Sequence, residues 1–100
     1  MVDLCFLDDK VVPWSSLNLG ETADRVYAVL ENAGCLCPIV TLKPCLTLRF
    51  VNDERTLQVR IDGEIVKYRI FKDLNVPWKV ATDDGTLRAA VNYLYPKGKT

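Results

Sequence analysis

The clearest alternation of hydrophobic and polar positions lies between residues 46 and 71. Leu46 to Val51, Thr56 to Ile61 and Glu64 to Phe71 each predict a strand, because a period of two places apolar side chains on one face. Residues 52–55 make the first connection, and Asp62-Gly63 predicts a type I′ hairpin turn. The pattern therefore predicts a three-stranded antiparallel meander.

The two connections of this meander assign the same residues to one face. A turn at 62–63 pairs Val59 with Val66, and a loop at 52–55 pairs Val59 with Leu48. A one-residue slip would scatter the apolar series over both faces. We therefore expect the core face to consist of Leu46, Leu48, Phe50, Leu57, Val59, Ile61, Val66 and Tyr68.

Apolar residues recur at three- and four-residue spacing in two other segments, which predicts two helices. The stripes consist of Ala23, Val26, Tyr27, Leu30 and Ala33, and of Leu87, Ala90, Val91 and Leu94. The first helix is expected to begin at Glu21 and to have Gly34 at its C-terminal cap. Thr82 or Asp83 is expected to cap the second helix, and Pro96 to mark its end.

The rest of the chain predicts short strands and loops. Val2 to Leu7 and Val11-Val12 form a hairpin around a polar turn, with Pro13 restricting the second strand to a sheet edge or ending it. Ser15 to Gly20 is expected to be a loop, and Cys35 to Leu42 a loop followed by a short strand. The chain after residue 72 is expected to be irregular up to the second helix.

These elements predict one α+β domain over residues 1–100. Its fold class is a two-layer sandwich: a mainly antiparallel sheet, built from an N-terminal hairpin and a three-stranded meander, with two helices packed on one face. The length suits a single domain.

The tripeptide Val-Pro-Trp occurs twice and contains the only two tryptophans, Trp14 and Trp78. The flanking residues do not match, which excludes an internal repeat. Because each tripeptide follows a strand-like segment and precedes a helix, we expect both tryptophans to fill the core where the chain leaves the sheet. The alternative is a pair of exposed aromatic anchors at a partner interface.

Composition argues against catalysis and against a strongly basic protein. Thirteen basic and thirteen acidic residues cancel, and histidine is absent, which removes the commonest general base and nucleophile pairs. No glycine-rich phosphate loop is present. The sequence therefore predicts a non-enzymatic protein without a cofactor.

The four cysteines do not follow the spacing of a zinc site. Cys35 and Cys37 are separated by one residue, Cys45 follows after seven more, and Cys5 is distant, whereas such sites have paired CxxC knuckles. No metal site is expected, and the thiols are interpreted as packing residues. The acidic N-terminus and the lack of a long apolar run predict a cytoplasmic protein that does not enter the membrane.

The polar face of the meander is the one functional lead. Arg49, Gln58 and Lys67 are expected to form one row across it, and Thr47, Arg60 and Ile65 another. The face carries four cations and no acid, so we predict a binding surface for a protein partner, with an acidic protein as one candidate. The alternatives are single-stranded RNA or DNA on the same face, and a solvated face without a partner. The candidate binding residues are Arg49, Gln58, Arg60, Lys67, Arg69 and Phe71.

Overall fold

The described residues form seven strands, two α-helices and one short 3-10 helix. The computed structural model describes residues 4–35, 37–52, 55–72 and 76–94. In chain order the elements are β1 (Leu4–Leu7), β2 (Lys10–Pro13), a short 3-10 helix (Trp14–Leu17), α1 (Glu21–Asn32), β3 (Ile39–Thr41), β4 (Leu46–Asn52), β5 (Arg55–Asp62), β6 (Ile65–Phe71), β7 (Lys79–Val80) and α2 (Asp84–Leu94). These elements confirm the α+β class.

All seven strands belong to one sheet, in the order β2-β1-β3-β4-β5-β6-β7. Five of the six strand pairs are antiparallel, and β1 with β3 is the parallel pair. A parallel pair needs a crossover connection, and β2 and α1 lie in that connection. As predicted, β2 with its terminal Pro13 lies at an edge of the sheet.

One face of the sheet belongs to the core, and the predicted parity is confirmed. Leu48, Phe50, Leu57, Val59, Ile61 and Val66 are buried, while Leu46 and Tyr68 are half-buried and pack against them. The same core cluster contains the predicted stripes of both helices. The helices contact each other. The placement of both helices on one face of the sheet stays a prediction.

Local hydrogen bonds set the ends of the helices. Ala33 is the C-terminal cap of α1, and Gly34 follows it with a φ of 112°. The next backbone N–H, that of Cys35, donates to Leu30 O at 2.9 Å. Asp83 caps α2 by accepting the Thr86 N–H at 2.9 Å. This hydrogen bond, with one from the Thr86 hydroxyl, lowers the pKa of Asp83. The predicted end at Pro96 lies outside the described residues.

The strand pairing in the hairpin between β5 and β6 differs from the predicted pairing by two residues. Asp62 pairs with Ile65 and Val59 with Tyr68, so the turn residues are Gly63 and Glu64. Of these two, only Gly63 has a positive φ, 62°, which is the pattern of a type II′ turn with glycine first. Because the pairing shifts by an even number of residues, each side chain stays on its predicted face of the sheet.

The type I′ pattern occurs instead in the hairpin between β1 and β2. Leu7 pairs with Lys10, and the two residues between them, Asp8 and Asp9, have φ values of 52° and 64°. A type I′ turn requires positive φ at both central positions, and aspartate tolerates this conformation better than most residues. The polar turn predicted here is therefore confirmed.

Two short elements differ from the predicted loops. The 3-10 helix Trp14–Leu17 lies partly within the segment predicted as a loop. Strand β7, Lys79–Val80, pairs with β6 in a region predicted to be irregular. Each element is too short to show a period, so the hydrophobic pattern carried no signal for it.

Replacing Gly63 by valine is expected to lower the free energy of unfolding by about 1–3 kcal/mol, because a β-branched residue is strained at positive φ. Urea denaturation measures the loss. Glu64→Val is the matched control: it introduces the same side chain at the neighbouring turn position, which has no positive φ. Equal losses in the two variants would contradict the type II′ assignment.

Candidate binding face of the sheet

The candidate residues lie on the face of the sheet opposite the core, here called the outer face. Arg49 pairs with Gln58 and Gln58 with Arg69, while Arg60 pairs with Lys67. The predicted rows placed Lys67 beside Gln58 and Ile65 beside Arg60, and both are wrong because of the register shift in the β5–β6 hairpin. The six candidate residues nevertheless share one face.

Exposure differs among the six candidates. Arg49 is exposed, whereas Gln58, Arg60, Lys67, Arg69 and Phe71 are half-buried. A lysine or arginine whose stem is half-buried and whose head reaches water contributes both apolar surface and charge. The face is therefore a mixed surface and not a fully solvated one.

Arg69 is held in place by four neighbours. Its Nε donates to Gln58 Oε1 at 2.7 Å, and its Nη1 donates to Val76 O at 3.3 Å. Its guanidinium carbon lies 4.4 Å from the ring centroid of Trp78 and 5.3 Å from that of Phe71. These contacts fix the guanidinium and tie the segment before β7 to the outer face.

Trp78 lies on the outer face, which contradicts its predicted place in the core. Tyr68 pairs with Lys79, so the preceding residue, Trp78, stands beside Arg69. Its ring also covers Arg60, whose guanidinium carbon is 4.7 Å from the centroid. The ring is half-buried and outside the core cluster.

The guanidinium of Arg60 stacks on the ring of Trp78, and its Nε donor is shielded from solvent. Its Nε is buried and has no hydrogen-bond partner among the described residues. Stacking on the indole occupies a face of the guanidinium plane and leaves the N–H groups at its edge available. Arg60 and Arg69 are therefore oriented by the same aromatic ring.

The outer face also includes an apolar region, next to Arg49, that contains none of the six candidate residues. Val11 pairs with Phe6, Phe6 with Ile39, and Ile39 with Arg49. Phe6 is 39% exposed, Ile39 38% and Val51 58%. The pairing of β1 with β3 creates this region, and no local sequence pattern predicts that pairing. Phe6 thus adds an aromatic side chain to the outer face beside Phe71 and Trp78.

Few acids neutralise the cations of this face. Asp62 was predicted to be a turn residue, but it is the exposed last residue of β5. It pairs with Ile65 of β6 at the rim of the face. The salt bridge found within the described ranges joins Arg25 to Asp84 at 3.8 Å, outside this face. The positive charges of Arg49 and Lys67 are therefore open to an external partner.

The thiols offer no comparable site. None of the four cysteines forms a disulfide, and Cys5 and Cys35 are buried. Burial raises the pKa of Cys35 to about 12, so this thiol stays protonated and unreactive near neutral pH. In the part of the chain that the structure describes, no group of three or more potential ligands could hold a metal ion.

Comparisons with protein-family models, with curated proteins and with solved structures find no match for this chain. Neither helix among the described residues has the length and apolar character needed to cross a membrane. The outer face is therefore the feature from which a function can be inferred.

Proposed function

We propose that the protein is a non-enzymatic interaction module that binds an acidic protein partner through the outer face of its sheet. The observation that carries the proposal is the composition of that face. Arg49, Arg60, Lys67 and Arg69 lie beside exposed apolar side chains, and the described residues provide no ion pair to them. Interfaces favour this combination of arginines, aromatic rings and apolar area.

A face that served only solubility would not carry so much apolar surface. Most of the exposed large hydrophobic residues are strand residues of this face: Leu4, Phe6, Val11, Ile39, Val51, Ile65 and Val80. Large exposed apolar patches on a soluble domain mark interaction sites. A second layer that covers the sheet would bury these side chains.

The charge of the face favours a different protein over a second copy of this chain. Two copies packed face to face would bring two sets of four cations together, because the acids that the described residues place on this face, Asp8, Asp9 and Asp62, lie only at its rim. Like charges brought together across an interface cost several kcal/mol. A partner with carboxylates among its apolar contacts meets no such cost.

A selection from a random displayed 12-residue peptide library tests the proposal. Peptides rich in Asp, Glu and apolar residues are expected to be enriched, and fluorescence anisotropy should show at least a tenfold loss of affinity in the double variant Arg49→Glu, Lys67→Glu. Arg88→Glu, on an exposed position of α2, is the control. Library hits without acids, or unchanged affinity in the double variant, would refute the proposal.

Single-stranded nucleic acid is the second candidate, favoured by the three aromatic residues Phe6, Phe71 and Trp78 on a basic face. Aromatic rings stack on bases while arginines contact phosphates. The same anisotropy assay with a labelled 12-nucleotide oligouridine, at about 50 mM salt, separates the candidates. Binding that weakens steeply with salt would favour the nucleic acid over the acidic protein.

We place the protein in the cytoplasm. The support is that none of the four cysteines forms a disulfide, since secreted domains of this size usually pair their cysteines.

A further inference from the structure

We infer that a groove across β1, β3 and β4 binds an extended segment of the partner protein that carries a basic, an apolar and an acidic residue in series. The groove has a volume of about 650 Å³. Phe6, Ile39 and Val51 provide its apolar floor. This inference rests on the proposed function, because Arg49 belongs to both the groove and the basic part of the outer face.

Opposite charges lie at the two sides of this groove. Asp8 and Asp9 form the turn that follows β1, and Arg49 lies on β4. Strands β1 and β4 are separated by β3, and Asp8 follows Phe6, the residue aligned with Arg49, by two positions. The backbones of Asp8 and Arg49 are therefore about 12 Å apart on the diagonal across the sheet. All three side chains are exposed, and none forms a salt bridge within the described ranges.

An extended peptide fits these dimensions. In a strand, side chains i, i+2 and i+4 point to the same side, and the outer two are separated by about 13 Å. An apolar side chain at i+2 would contact Phe6 and Ile39, while a lysine and a glutamate at the ends reach the two aspartates and Arg49. A ligand with a single charge would leave one side of the groove unpaired.

The test is an NMR titration of the ¹⁵N-labelled protein with acetylated, amidated pentapeptides. The peptide KSLSE is expected to bind about two- to fivefold more tightly than ESLSE or KSLSK, the scale of one exposed charge pair. The shift changes should centre on the amides of Phe6, Ile39 and Val51. A peptide with serine in place of leucine should lose measurable binding.

Neutral variants assign each end of the peptide to one side of the groove. Asp8→Asn with Asp9→Asn keeps residues that tolerate positive φ and should make KSLSE bind no better than SSLSE. Arg49→Gln should make KSLSE bind no better than KSLSS. Glu64→Gln, which neutralises an exposed acid in the other hairpin turn, should leave all affinities unchanged.

Equal affinities for the three charge patterns, or shift changes away from the groove, would overturn the inference. The variant Lys67→Glu separates this inference from the proposed function. Lys67 lies outside the groove, so Lys67→Glu should not alter the binding of KSLSE. If KSLSE binds more tightly than ESLSE and KSLSK while Lys67→Glu does not change the affinity of the acidic library peptides, the groove site is supported. The proposed binding role of the wider face is then refuted. Loss of the preferences alone refutes only the groove.

Discussion

Replacing Trp14 by alanine is expected to cost about 3–5 kcal/mol of unfolding free energy, the range for removing a buried tryptophan. Trp14 is 4% exposed, and its ring stacks on Tyr27 with centroids 4.3 Å apart. Its Nε1 also donates to Asp24 Oδ1 at 2.8 Å. Since a domain of this size is stable by only about 5–15 kcal/mol, urea denaturation followed by circular dichroism should show a large loss.

Trp78→Ala is the matched control, because it removes the same side chain from the same tripeptide. Its ring contacts Arg60 and Arg69 on the outer face, and each such contact contributes about 0.5–1 kcal/mol at an exposed site. We therefore expect a loss of at most about 2 kcal/mol. Equal losses at the two tryptophans would mean that they fill equivalent places, contrary to the structure.

The assignment of side chains to faces could be predicted from the sequence because it depends on local alternation. Leu48, Phe50, Leu57 and Val59 are buried as expected. The β5–β6 turn lies one residue later than predicted, so the strand pairing shifts by two residues, and an even shift leaves each side chain on its face. The same parity placed all six candidate binding residues on the outer face.

The exact pairing could not be predicted in the same way. Asp62-Gly63 has the dipeptide of a type I′ turn, yet the only positive φ of that turn is at Gly63. A type I′ turn would use Gly63 as its second central residue and a type II′ turn as its first, so the dipeptide did not distinguish them. The parallel pairing of β1 with β3 joins segments separated by a helix, and no local pattern encodes it.

The two Val-Pro-Trp tripeptides show why the candidate site was only partly predictable. Pro13 is the last residue of β2, whereas Pro77 lies before β7, and the place of each tryptophan depends on the neighbouring strand. Trp14 follows β2 and meets Tyr27 of α1, whereas Trp78 precedes β7 and meets Arg69 of β6. Identical local sequences therefore led to a core residue and a surface residue.

Replacing Leu30 by alanine is the second substitution with a large expected effect, a loss of about 2–5 kcal/mol. Leu30 is fully buried and belongs to the last part of α1. The truncation removes apolar contacts and leaves a cavity, while alanine keeps the helix intact. Urea denaturation at constant temperature gives the difference in unfolding free energy between the variant and the natural chain.

Arg49→Ala provides the comparison that decides which face of the sheet is the core. Arg49 is exposed on β4 and has no salt bridge in the described part of the chain, so its removal should change stability by less than about 0.5 kcal/mol. The same variant should weaken peptide binding, because its guanidinium belongs to the proposed binding face. A larger stability loss at Arg49 than at Leu30 would mean that this face is packed inside the protein, and the proposed interface would then have no surface on which to form.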